Sequence, residues 1–241
     1  MLLGLLSVSC LAVVALLAGV ALLGSLPGVG DAQTRVAAIL REHRARPVGL
    51  PLPTRVASSV VAVEDQRFYT HHGVDLRSVA RLAWSGLRGG DLQDEGGSTI
   101  AQQLAKRVYT GDSGGLAVKL RQVGLAVKLE RRYSKDQILG MYLDAAYFGG
   151  GHWGVVQASR GYFGRSPSHL SWGEASLLAG LVQAPSFYDP TAHLAAAEQR
   201  QHHVLDRLVA AGVLSRAQAD AAGRRLAAEA RRLDFRTVQG T

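Results

Sequence analysis

Glu64 and Asp65 stand side by side at the end of an apolar stretch, Val56 to Val63, and Phe68, His71 and Asp75 follow closely. A carboxylate placed where a packed helix gives way to aromatic and imidazole groups can act as a proton acceptor. His71 can hydrogen-bond to a carboxylate and fix its orientation, and Phe68 can support the backbone behind the acid. A second run, Gly96-Gly97-Ser98-Thr99-Ile100-Ala101-Gln102-Gln103-Leu104-Ala105-Lys106, sets two glycines and two hydroxyls ahead of amide groups and a lysine. That arrangement is expected where a helix N-terminus receives an anion. A base beside an anion site suggests group transfer from a phosphorylated donor. Taken alone, the acidic pair could be a solvated helix end, and Ser98-Thr99 could be ordinary helix caps.

The elements that must position these residues read as helix after helix. Thr99-x-x-Gln102, Ser134-x-x-Gln137, Ser171-x-x-Glu174 and Ser215-x-x-Gln218 each fit a capping box. Asp75 fits as the N-cap of a helix from Leu76 to Leu87, and Ala32 to Arg46 has helical periodicity. Pro47, Pro51 and Pro53 break that helix; Gly111 to Gly115, Gly149 to Gly151 and Pro185 to Pro190 mark further breaks. Leu194 to Val209 and Arg216 to Leu233 form a final helical pair around Gly212. No stretch shows sustained strand alternation, so the fold class is all-α.

From Leu2 to Leu26 no side chain is charged. Roughly 25 residues at about 1.5 Å each exceed a hydrocarbon core of about 30 Å, which reads as a transmembrane helix. A cleaved signal peptide is the competing reading, but neither flank fits it well. The absence of Lys or Arg before the run leaves the positive-inside rule nothing to act on at that end, which is awkward for an anchor and leaves open whether the native start lies upstream. The expected organisation is an anchor over residues 1–27, a linker and short helix over 28–53, and a catalytic domain over 54–241. All 27 Lys and Arg lie after the apolar run, so the net charge of +8 belongs to the rest of the chain. Such a surface suits anionic lipid headgroups or phosphates. No zinc-finger spacing, aromatic RNA-binding motif or long basic run points to nucleic acid. The single Cys10 excludes an intrachain disulfide and a cysteine metal site.

The run Glu64-Asp65-x-x-Phe68-x-x-His71-x-Gly73-x-Asp75 resembles the first signature of the family 51 glycosyltransferases, the bacterial peptidoglycan polymerases. Gly96 to Lys106 resembles their second signature. Ile138-Leu139 through Gly149, Gly154-Val155 and Tyr162-Phe163-Gly164 is similar to the fourth, and Glu174 to Leu181 with Ala184-Pro185 to the fifth. The resemblance implies a lysozyme-like helical domain that polymerises lipid II, a disaccharide-pentapeptide on polyprenyl pyrophosphate, by inverting transfer. It implies that Glu64 is the general base, that Asp65, Phe68 and His71 shape its site, and that Ser98, Thr99, Gln103 and Lys106 serve the donor phosphates. Lys119, inside the third signature, would join them, and a divalent metal, magnesium, would assist. Its partners would be lipid II, the growing glycan, the membrane and other cell-wall synthesis proteins, with the domain outside the cytoplasmic membrane.

The third signature, Arg-Lys-x-x-Glu, aligns with Val118-Lys119-Leu120-Arg121-Gln122. The arginine is thus replaced by Val118 and the second catalytic-site glutamate by Gln122, which cannot take a proton. Arg121 is the nearest replacement for the missing cation. Ala101 stands where threonine is usual, and Arg107 and Asp144 where asparagine is. A catalytically impaired homologue that binds lipid II or polymerase partners is therefore an alternative. A lysozyme-type hydrolase is another, opposed by the phosphate-site run. No Ser-x-x-Lys or Lys-Thr-Gly motif of a penicillin-binding transpeptidase occurs. His152-Trp153 reads equally as a sugar contact or as loop packing.

Overall fold

The computed structural model describes residues 24–77, 97–111 and 113–232. Most of the expected anchor, Leu2 to Leu26, lies outside them, as do Gly96 and most of the helix expected from Leu76 to Leu87. Among the described residues no helix is long and apolar enough to cross a membrane. They contain no strand, only an isolated antiparallel bridge between Tyr147 and Trp153, so the all-α expectation holds there.

The helices are α1 (Ala32–Glu42), α2 (Thr54–Glu64), α3 (Ile100–Ala105), a π-helical turn (Lys106–Thr110), α4 (Leu116–Arg132) and α5 (Lys135–Ala145). They continue with α6 (Val155–Phe163), a 3-10 turn (Pro167–His169), α7 (Trp172–Leu181), α8 (Leu194–Ala210) and α9 (Arg216–Arg232). α1 stops short of the expected Arg46. Arg44 takes a left-handed φ of 53°, and Ala45 N donates back to Leu40 O at 2.8 Å, a C-terminal closure that ends the helix. The capping boxes at Ser134 and Ser171 are complete. Ser215 and Gln218 exchange the same pair of bonds. Thr99 makes half of its box: its hydroxyl accepts from Gln102 N at 3.2 Å, while the Gln102 side chain reaches instead for Gly73 O at 3.4 Å.

Two packing groups meet along a seam. In one, α7 lies against α2, α8 and α9. Residues Gly173 to Leu181 of α7 are all buried, as the apolar composition of this helix demands. In the other, α3 packs on α4, α5 and the π-helical turn, with α1 against α5. Residues Ile138 to Ala145 of α5 are all buried. Phe68, Tyr142 and Phe148 are among the largest fully buried side chains, each contributing on the order of 1.5–3 kcal/mol through apolar burial. The C-terminus of α2 and the N-terminus of α3 face each other across the seam, bringing the two sequence runs together.

Candidate functional site

Asp65 follows the last residue of α2 and leaves helical geometry, with φ −159° and ψ 73°. Its buried carboxylate accepts from Ile100 N at 3.0 Å and from His71 Nε2 at 2.9 Å to each oxygen. A negative group at the start of α3 meets the positive end of that helix, which favours the contact. Phe68 is fully buried beside His71, with ring centroids 6.3 Å apart. Lys135 donates to His71 O at 2.6 Å and to Glu130 at 2.7 Å, and its ammonium lies 4.5 Å from the Phe68 ring centroid. Lys135 is thus held in the scaffold. Thr99 is buried as well, its hydroxyl donating to Gly73 O at 2.8 Å. Asp65, Phe68, His71 and Thr99 form the frame behind the site and do not line its cleft.

Glu64, Ser98, Gln103, Lys106, Lys119 and Gln122 do line it, in a cleft of about 1000 Å³. Gln103 Nε2 donates to Glu64 Oε2 at 2.7 Å, and Gln103 Oε1 accepts from the Tyr142 hydroxyl at 3.2 Å. The Tyr142 phenol is pushed up first by burial and then by the Glu64 charge, so it stays a proton donor. That donor commits the Gln103 carbonyl to Tyr142 and turns the Gln103 NH₂ towards Glu64. The second Glu64 oxygen lies 4.0 Å from Arg200 Nη2, with the two side chains 10% and 14% exposed. Gly180 makes room for this approach: a Cβ there would stand 3.0 Å from Arg200 Cγ.

Across the cleft, Lys119 Nζ donates to Ser98 Oγ at 2.6 Å. The Lys119 ammonium is lowered by partial burial and then by the like charge of Lys106, so these cations crowd one region. Such a pair is relieved by an anion. The buried Gln122 donates through Nε2 to Thr110 Oγ1 at 3.1 Å. Arg121 is exposed and off the cleft lining, whereas Arg107 lines it and lies over the Tyr142 ring, 4.3 Å from the centroid. A further wall is aromatic: His43 stacks on Trp153 at 4.1 Å and 1°, and Tyr147 lies 5.1 Å from Trp153. His152, by contrast, packs on Tyr162 at 5.0 Å and is not part of this wall.

Sequence reading gave no role to Arg200, nor to Tyr142 beyond its place in the fourth signature. Arg200 reads as a surface charge of an amphipathic helix, and Tyr142 as core. No three His, Cys, Asp or Glu side chains gather as a metal ligand set among the described residues. Among the described residues the carboxylates lining the cleft are Glu42 and Glu64, beside ammonium, guanidinium, hydroxyl and carboxamide groups. The donors that the described residues supply do not by themselves fit a held metal.

Residues 33–209 match the protein family described as Transglycosylase. Penicillin-binding protein 1F of Bacillus subtilis is 40% identical over 186 residues, covering 76% of this chain and 26% of that protein. A putative transglycosylase of Cupriavidus necator is 38% identical over 176 residues, covering 73% of this chain and 75% of that protein. Penicillin-binding protein 1A of Escherichia coli is 37% identical over 180 residues, covering 74% of this chain and 21% of that protein. The chain thus spans about a quarter or less of the penicillin-binding proteins it matches and most of the C. necator protein.

Proposed function

The chain belongs to the transglycosylase family, and from that premise we propose that it polymerises lipid II into peptidoglycan glycan strands with release of polyprenyl pyrophosphate. The observation that carries this reading is the Glu64 carboxylate, aimed by Gln103 and Tyr142 into a cleft that also holds Lys106 and Lys119. In the proposed step the acceptor 4-hydroxyl oxygen attacks the anomeric carbon of the growing chain as Glu64 takes its proton. The bond from that carbon to the pyrophosphate oxygen breaks, and the configuration inverts. Lys106, Lys119 and Ser98 meet the charge developing on the leaving group, where fixed donors count most. Asp65 and His71 act through the frame, holding the start of α3 against the end of α2. The His43–Trp153–Tyr147 wall offers apolar ring faces to the sugars.

Magnesium enters this proposal only as an ion carried in by the pyrophosphate, and no step depends on it. The lysozyme-like fold, the division into anchor (1–27), linker and short helix (28–53) and catalytic domain (54–241), the membrane attachment, the extracytoplasmic orientation and the cell-wall partners belong to the same proposal. A second reading, an impaired homologue that binds lipid II without polymerising it, is favoured by one observation. Gln122 occupies the cleft with its amide tied to Thr110 and supplies no second carboxylate there. Incubating the purified chain with lipid II and resolving the products by size decides between them. Glycan polymer from the wild type, made faster by Gln122→Glu, is the expected result. A blank wild type with activity appearing only in Gln122→Glu would establish the second reading.

A further inference from the structure

We propose that Arg107 is a third cation of the diphosphate site, with its unpartnered guanidinium nitrogen as the donor that meets a phosphate oxygen. The inference rests on reading this cleft as one that releases a diphosphate. Arg107 Nη1 is buried and has no hydrogen-bond partner, and none of the ion pairs among the described residues involves this side chain. Buried donors of a charged group are costly to leave unmatched, and in native structures an orphan of this kind calls for a specific explanation. A ligand that completes the donor supplies one.

The surroundings specify the ligand's chemistry. The π-helical turn Lys106–Thr110 carries Arg107 directly after Lys106, and local π geometry of this type recurs at functional sites. The guanidinium lies over the Tyr142 ring, 4.3 Å from its centroid, a cation–π contact that holds the group in place while Nη1 stays without a partner. Lys106 and Lys119 line the same cleft, so an anion there meets two ammoniums and one planar fork. The rigid planar guanidinium can hold Nη1 towards a phosphate oxygen in a charge-assisted hydrogen bond, where a flexible ammonium is a point charge. The sequence pattern fits the same picture. The arginine expected at position 118 is Val118, and the asparagine expected at 107 is Arg107. α4, which bears Val118, packs against the π-helical turn that bears Arg107, so the element next to the one lacking the cation carries one. Arg121 is exposed and off the cleft lining, which removes it as the replacement.

Calorimetric titration of inorganic pyrophosphate into the full chain in detergent tests this directly. Arg107→Gln is expected to weaken binding by about ten- to a hundred-fold. Arg107→Lys, which keeps the charge and loses the fork, is expected to fall between the two. Arg121→Gln, which removes the same charge from the neighbouring surface, should bind as wild type does. Wild-type affinity in Arg107→Gln, an equal loss in Arg121→Gln, or no binding by the wild type would each overturn the inference. Should Arg107→Gln fail to fold, wild-type affinity in Arg107→Lys overturns it instead. A chain that binds pyrophosphate through Arg107 yet makes no glycan would sink the polymerase reading and leave this inference standing. One that polymerises lipid II with no dependence on Arg107 would do the reverse.

Discussion

Glu64 and Asp65 are adjacent in sequence and opposite in use. Asp65 spends both oxygens on His71 and the start of α3, whereas Glu64 gives one oxygen to Gln103 and keeps the other beside the cleft. Position in the pair, rather than residue type, separates frame from cleft lining. A third carboxylate shows what burial does without a countercharge. Asp144 is pushed up to about 6 by desolvation, which outweighs the bond it accepts from Val48 N at 2.8 Å. Its folded pKa lies above the unfolded value of about 3.9, so the folded state holds the proton more tightly and stability falls as pH rises between about 4 and about 6. Asp144→Asn keeps the acceptor for Val48 and removes the charge. Thermal melts should show it more stable than wild type by roughly 1–3 kcal/mol near neutral pH, with the gain vanishing near about pH 4. A gain of equal size at both pH values, or a loss near neutrality, would contradict this account.

The short turn after α2 has more structural consequence than its length suggests. Gly73 takes a φ of +87°, and a Cβ there would stand 3.0 Å from backbone atoms of Ala126 and Val127 in α4. Its carbonyl receives Thr99 Oγ1 and Gln102 Nε2, which ties α3 to the same point. Gly73→Ala therefore strains the turn and pushes on the helix that carries Lys119 and Gln122. The expected cost is roughly 2–4 kcal/mol, read in denaturant unfolding, with a parallel loss of turnover. Wild-type values in both would show that the close approach matters little. The same region shows what could be read from sequence. Caps at Ser134, Ser171 and Ser215 depend on residues three apart, so their type and spacing are enough. The Thr99 box is only half made because Gln102 is drawn to Gly73, a tertiary neighbour that no local pattern encodes. Likewise Gln103 was legible as a polar residue of the anion run. Its orientation depends on Tyr142 in α5, whose apolar spacing signals burial and nothing about its hydroxyl.

At the scale of the molecule, two helical groups meet along a seam, and the cleft opens where α2 and α3 face each other across it. Glu64, the proposed base, comes from one group, and the cations Lys106, Arg107 and Lys119 from the other. Joining a proton acceptor to an anion site in this way suits glycosyl transfer from a pyrophosphate and gives a hydrolase of finished polymer no use for its cations. The net charge of +8 is consistent with work on phosphates beside an anionic surface. With Gln122 in place of a second carboxylate, Glu64 is the base on which the proposed turnover rests, and Glu42 is the only other carboxylate lining the cleft among the described residues. The decisive measurement is glycan polymer formed from lipid II by the full chain and by Glu64→Gln, under identical conditions and with pyrophosphate affinity measured alongside. Polymer from the wild type and a loss on the order of 10²–10⁴-fold in Glu64→Gln, with pyrophosphate binding kept, are expected. Undiminished polymer from Glu64→Gln would contradict Glu64 as the base.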